Sequence, residues 1–169
     1  REAIDFAQLS TALATATRGV AADYSGGGSV MWRAFLIVNA VDGLAPGAYA
    51  FDREAEGLKL LREGDFRLEA GSLSLGQALA ADSAVNIYLI ADLPAVLKRY
   101  GNRGYRAAQL DSAITAGKLY LAAYAQRFGA TGLTFFDDAV TEFFSPEAAG
   151  LSVMFLMALG HRQRSVPPR

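Results

Sequence analysis

From Arg106 to Phe128 the chain runs mostly through Ala, Leu, Ile and Tyr, with Gly117 near the middle and Gln109, Asp111, Lys118 and Gln126 as its main polar breaks. A helix this long and apolar on most faces reads as largely buried, so the other layers of the molecule have to be arranged around it. Its small residues, Ala107, Ala108, Ala113, Ala116 and Gly117, let another backbone come close, from the same subunit or from a partner. Gly129 reads as its C-terminal stop.

The flanking segments fill in two kinds of layer. Phe6, Leu9, Leu13 and Ala16 recur at spacings of three and four, which predicts an amphipathic helix over residues 6–18. The run Ala34–Val38 is short, branched and aromatic, as a buried strand is. Turn chemistry at residues 42–47 returns the chain through strands at 47–52 and 58–61, a meander. Gln77 to Ser83 is weakly helical, and residues 84–91 have the content of a central strand ended by Asp92-Leu93-Pro94. After the long helix come a strand at 131–136, a helix at 137–144, a helix start at Ser145-Pro146 and a last strand at 152–159. A meander followed by alternating helices and strands predicts an α+β fold, with helices packed on a mixed or antiparallel central sheet.

Whole-chain properties narrow the function classes. The 169 residues, 52% hydrophobic and 20% charged, suit one domain over residues 1–169, and the start on Arg1 points to a fragment of a longer chain. A formal net charge of −1 with both signs dispersed gives no field for nucleic acid or anionic lipid. The absence of cysteine removes disulfides, thiolate catalysis and iron–sulfur clusters, and fits a cytoplasmic setting. One histidine, His161, cannot build a multi-histidine metal site. Asp137, Asp138 and Glu142 read as a solvated helix start rather than a metal site, so no metal is expected. The longest apolar stretches are too short to span a bilayer as helices, and no leader peptide is visible.

Several motifs then occur in order. Tyr24-Ser25-Gly26-Gly27-Gly28 precedes a strand and is followed by Val41-Asp42-Gly43-Leu44-Ala45-Pro46-Gly47-Ala48-Tyr49. Arg99-Tyr100-Gly101-Asn102-Arg103-Gly104-Tyr105-Arg106 comes next, and Leu119-Tyr120-Leu121-Ala122-Ala123 leads into Gly129-Ala130-Thr131-Gly132-Leu133. Together they resemble the P-S-x-G segment, the V-x-G-L-x-P-G-x-Y turn, the K-Y-G-x-R-G-Y-R motif and the L-Y-L-A-A helix of SagB-type dehydrogenases. These form a branch of the FMN-dependent nitroreductase superfamily, and the resemblance covers most of the chain.

That resemblance implies a nitroreductase-like fold, FMN held between two subunits, and oxidation of a thiazoline or oxazoline in a modified peptide to its azole. It implies a homodimer, or pairing with a second nitroreductase-like domain. The flavin does the chemistry while the protein supplies position and electrostatics. Gly132 and Leu133 would present backbone amides near the reactive nitrogen of the flavin, and Ser25, Gly26, Gly27 and Gly28 would let the main chain approach it. The alternative for the glycine run is an ordinary flexible loop. In the catalytic pair of the family a lysine precedes the tyrosine. Here Arg99 stands in that place beside Tyr100, with Lys98 one position earlier, and an arginine stays protonated and cannot act as general base. Tyr100 remains a candidate acid or hydrogen-bond donor. Arg103 and Arg106 are candidates to anchor the loop or an anionic ligand; Lys98 and Arg99 fit a solvated basic loop better.

Phosphate contacts fall to Arg1, which matches the first arginine of the family's R-R-S-x-R-x-F opening, and to Arg162 and Arg164 after the last strand. The departures are Ile4 for the second arginine, Arg99 for lysine, and Lys118 where many members have asparagine. Three functions follow: an FMN-dependent dehydrogenase of a peptide heterocycle, a degenerate half of a paired unit acting as scaffold, or an NAD(P)H-dependent nitro or quinone reductase. Trp32 is expected in the core or in a flavin-pocket wall, with core the stronger expectation.

Overall fold

A computed structural model describes residues 2–24 and 30–161. Asp5 opens the first helix: its carboxylate accepts the Ala7 N–H at 2.7 Å, while Gln8 Oε1 accepts the Asp5 N–H at 2.9 Å. This reciprocal cap fixes α1 (Phe6–Ala16) directly after the two-residue strand β1 (Ile4–Asp5). The chain then lays down β2 (Trp32–Val38), β3 (Val41–Asp42), β4 (Gly47–Asp52) and β5 (Gly57–Glu63). After α2 (Arg67–Leu73) and α3 (Ala78–Asp82) come β6 (Val85–Ala91), α4 (Leu93–Tyr100) and α5 (Arg103–Ala125). The remaining elements are β7 (Gly129–Leu133), α6 (Asp137–Phe143) and β8 (Ser152–Gly160).

Six strands form one sheet in the order β5-β4-β2-β6-β8-β7, and every neighbouring pair is antiparallel. The parallel pairing among the described residues is the two-residue contact of β1 with β3, outside that sheet. Alternation along β2 divides the core in two. Ala34, Leu36 and Val38 face α1 and α5 with Ile87, Leu89 and Leu119, whereas Phe35 and Ile37 face the opposite side with Tyr88, Val140 and Phe144. Helices cover both faces of the middle of the sheet, which is why all seven residues of β6 are buried. Trp32 lies in the α1/α5 core. This is the α+β architecture expected from sequence, helices packed on an antiparallel central sheet.

The details differ in places. Pro94 does end β6, but it sits at the second position of α4, where its missing N–H costs nothing; Asp92 caps that helix by accepting the Ala95 N–H at 3.0 Å. Neither α4 nor the seven-residue α2 had been anticipated. The long helix begins at Arg103 rather than Arg106. Its end is made not by Gly129 but by Arg127, at φ 64°, with the Arg127 N–H donating to Tyr124 O at 3.1 Å and the Phe128 N–H to Ala123 O at 3.1 Å. Gly129 is instead the first residue of β7, so that strand spans residues 129–133 rather than 131–136. Ser145-Pro146 starts no helix; residues 144–150 are turns.

The largest correction concerns the buried helix. Only one face of α5 packs on the sheet, through Ala108, Ser112, Ala116, Leu119 and Ala123. The other carries Leu110, Ala113, Gly117, Leu121 and Tyr124 outward, with Leu121 71% and Tyr124 85% exposed. A Cβ added at Gly117 would meet nothing within 4 Å, so that glycine serves no close approach within this chain.

Candidate active site

The corner between α4 and α5 is built by two glycines. Gly101 takes φ 62°, and its N–H closes α4 on Leu97 O at 2.8 Å. At Gly104 a Cβ would stand 2.8 Å from Val96 O and 3.1 Å from Tyr100 Cβ, so the two helices cross in contact only because that position is bare. Lys98, Arg99 and Tyr100 therefore occupy the last turn of α4, and Arg103 and Arg106 the first turn of α5. All four basic residues are exposed, as a solvated patch would be, but they lie on helices and not on a loop. Among the described residues no ion pair neutralises them. The Arg99 guanidinium lies 4.9 Å from the centre of the Tyr100 ring, and the Tyr100 hydroxyl donates to Tyr24 O at 2.8 Å.

One helical turn further into α5, Asp111 is 2% exposed and accepts the Met31 N–H at 2.8 Å. Burial raises its carboxyl above the usual range, against the Met31 hydrogen bond and the charges of Arg53 and Lys118. Burial likewise raises the Tyr24 phenol, helped by the negative charges of Asp111 and Asp23. Tyr24 and Met31 are thus each tied to the α4–α5 corner, one through Tyr100 and the other through Asp111. Ser25, Gly26, Gly27 and Gly28 lie outside the described residues, as do Arg1, Arg162 and Arg164. Sequence reasoning had passed over Asp111 as a mere break; a lone acid within an Ala- and Leu-rich helix was the available signal.

The second group sits near the other end of α5. Gly132 and Leu133 lie on β7, an edge strand, both half-buried. The Gly132 N–H donates to the Tyr120 hydroxyl at 2.6 Å, and a Cβ at Gly132 would come within 3.1 Å of the Phe155 ring. Tyr120 had been singled out only as a motif letter. At a rise of 1.5 Å per residue, Gly104 beside Tyr100 and Tyr120 beside Gly132 are separated by about 24 Å along the helix. The structure brings Tyr100, Arg103 and Arg106 together and keeps Gly132 and Leu133 apart from them.

Three remaining expectations can be placed. Asp137 and Asp138 are exposed at the start of α6, and Asp137 also accepts the Val153 N–H at 2.8 Å, fastening the helix to β8. No group of three or more potential metal ligands occurs among the described residues. Lys118 donates its ammonium to Gly19 O, and Ile4 is fully buried between β3 and α1, where it offers nothing to a phosphate. A cavity of about 310 Å³ opens beside the start of β7, lined by Leu79, Ser83, Thr131 and His161 among others, but by neither Tyr100 nor Gly132. Among the described residues no helix is long and apolar enough to cross a membrane.

Similar architectures are known. A protein of Anabaena variabilis assigned to the nitroreductases is 28% identical, with a TM-score of 0.85 over 96% of this chain and 35% of its own. The Escherichia coli microcin synthetase McbBCD complex with truncated pro-MccB17 bound contains a chain at TM-score 0.80 and 15% identity, matched over 97% of this chain and 66% of that one. An FMN-dependent nitroreductase from Clostridium difficile gives 0.60 at 14% identity, covering 96% and 79%. The chain thus spans about a third of the length of the first of these and just under two thirds of the second. No curated protein matches it. The model of the nitroreductase family matches residues 1–161, and the chain belongs to the nitroreductase family.

Proposed function

We propose that this chain is an FMN-dependent dehydrogenase of SagB type, completed by a second copy of itself or by a similar domain, and acting on a heterocycle in a modified peptide. The observation that carries the two-chain reading is the separation of Tyr100 from Gly132. Both are assigned to the ring of one flavin, yet about 24 Å of helix lies between their neighbourhoods, so one chain cannot bring both to the same ring. The exposed stripe Leu110, Ala113, Gly117, Leu121 and Tyr124 runs along that stretch. Two copies packed there about a two-fold axis perpendicular to α5 run antiparallel, which carries Tyr100 of one chain toward Gly132 of the other.

The residues fit FMN in part. Gly132 gives a bare backbone whose N–H points off the sheet edge, and Arg103 and Arg106 offer planar forks to a phosphate. Ile4, in the core, removes one phosphate contact that the SagB resemblance implies. When bound, FMN would supply the acceptor for a hydride, that is two electrons and one proton, and the second hydrogen lost by the heterocycle would leave as a proton to a base or water. Gly132 and Leu133 then orient the ring edge by their amides. The Tyr100 phenol, already held by the Tyr24 carbonyl, is placed to pass or retain a proton at its oxygen. Arg99, stacked on that ring, fixes its direction and takes no proton.

The likeness to a chain of the microcin synthetase complex, with truncated pro-MccB17 bound, supports the peptide reading, and the likeness to an FMN-dependent nitroreductase supports the reductase reading. A scaffold role has one observation on its side, the burial of Ile4. The test uses the purified full-length protein: released flavin on denaturation, and azoline-peptide dehydrogenation exceeding menadione reduction by nicotinamide donors, are expected. Faster menadione reduction would make it a quinone reductase, and colourless protein that takes up no FMN would leave the scaffold.

A further inference from the structure

Gly132 ends its hydrogen bonding in an unusual place. On an edge strand the backbone groups that point away from the sheet have no strand to pair with and are normally left to water or a ligand. Here the outward N–H of Gly132 is taken by the Tyr120 phenol oxygen at 2.6 Å, across the gap between β7 and α5. Tyr120 is 42% exposed, so its ring is not locked by the core. Its own O–H donates to no acceptor among the described residues. Phe155 packs on the same side of Gly132, its ring 3.1 Å and the Tyr120 hydroxyl 3.7 Å from where a Cβ would stand. The amide is therefore occupied by the Tyr120 hydroxyl.

We propose that Tyr120 is an internal competitor for the Gly132 amide, holding it in the empty protein and swinging away when the flavin's hydrogen-bond acceptor arrives, so that this side chain sets cofactor affinity. The proposal rests on the flavin reading above. It differs from a packing role, because the phenyl ring alone would fill the same space without occupying the donor. A neutral hydrogen bond has a net worth of around 1 kcal/mol, which translates into about a 2- to 10-fold change in a binding constant.

The test is Tyr120→Phe in the full-length protein, stripped of cofactor and titrated with FMN by quenching of flavin fluorescence. Gly132 amide hydrogen exchange is followed by NMR before FMN is added. Expected are faster exchange at Gly132 and FMN binding about 2- to 10-fold tighter than wild type. Unchanged exchange at Gly132, or unchanged or weaker FMN binding by the variant where the wild type binds, overturns the competitor role and leaves the flavin reading standing. Failure of wild type and variant alike to bind FMN overturns both.

Discussion

The two ends of α5 are built on opposite plans. At the N-terminal end, bonds converge inward: Tyr100 reaches Tyr24, Asp111 reaches Met31, and Gly104 lets Val96 and Tyr100 press against the helix. Toward the C-terminal end the chemistry faces outward, with Tyr120 and Gly132 joined at a sheet edge and Leu121 and Tyr124 in solvent. One end is finished by its own chain, and the other awaits something else. The contrast teaches that motifs that follow one another along a chain can stand about 24 Å apart on one helix, which is what leads the proposed function to divide them between two chains.

The sharpest way to break this picture is complementation. Tyr100→Phe and Gly132→Val are each expected to lower kcat by about 100-fold or more when pure, since the first removes a hydroxyl assigned to the ring and the second crowds the Gly132 backbone with a side chain against Phe155. Mixed as equal amounts of exchanging subunits, they should recover about a quarter of wild-type turnover, because half of the dimers are mixed and each of those carries one intact site. No recovery after verified exchange would return both groups to one chain.

A pair of glycine variants probes the two plans through stability. Gly104→Ala forces a methyl against Val96 O and Tyr100 Cβ and should cost about 1–3 kcal/mol in urea denaturation, although alanine is the better helix former. Gly117→Ala enters open space and should gain about 0.5–1 kcal/mol in the separated subunit. Equal effects at the two positions would erase the difference between the ends.

The smallest effect is at Asp111. Burial raises its carboxyl in the folded state, so the folded protein holds a proton at pH values where the unfolded chain has released it. Stability from this residue is therefore fully present below the ordinary carboxylate value of about 3.9 and is lost as pH rises through the raised one. Asp111→Asn keeps an acceptor for the Met31 N–H and carries no such penalty. The variant should be the more stable at pH 7, with the gap closing toward pH 4 in urea titrations; a constant gap would deny the burial effect.

Much of the fold was legible because the patterns were local. The run at residues 34–38, the turn at 42–47 and the spacing of Phe6, Leu9 and Leu13 each report on neighbours a few residues away. What escaped depended on partners far along the chain. Arg127 could end α5 in a left-handed conformation because Phe128 and β7 hold it there, so the nearby Gly129 misled. Pro94 marked a strand's end and concealed a helix's start. The apolar run of α5 looked buried because composition cannot separate a face that meets the sheet from one that stays outside. Tyr120 and Asp111 lay within recognised segments, but their roles come from contacts with Gly132 and Met31, 12 and 80 residues away.

The sheet order carries a consequence for how the molecule is made. β7 pairs with β8 alone, and β8 is wedged between β7 and β6, although it is the last strand among the described residues. During synthesis, then, Gly132 has no sheet to stand on until residues 152–160 have left the ribosome. Within this sheet, the edge that the proposed function assigns to the flavin is therefore the last to be completed, and on that reading an early flavin would find only the half of the domain around Tyr100 ready to meet it.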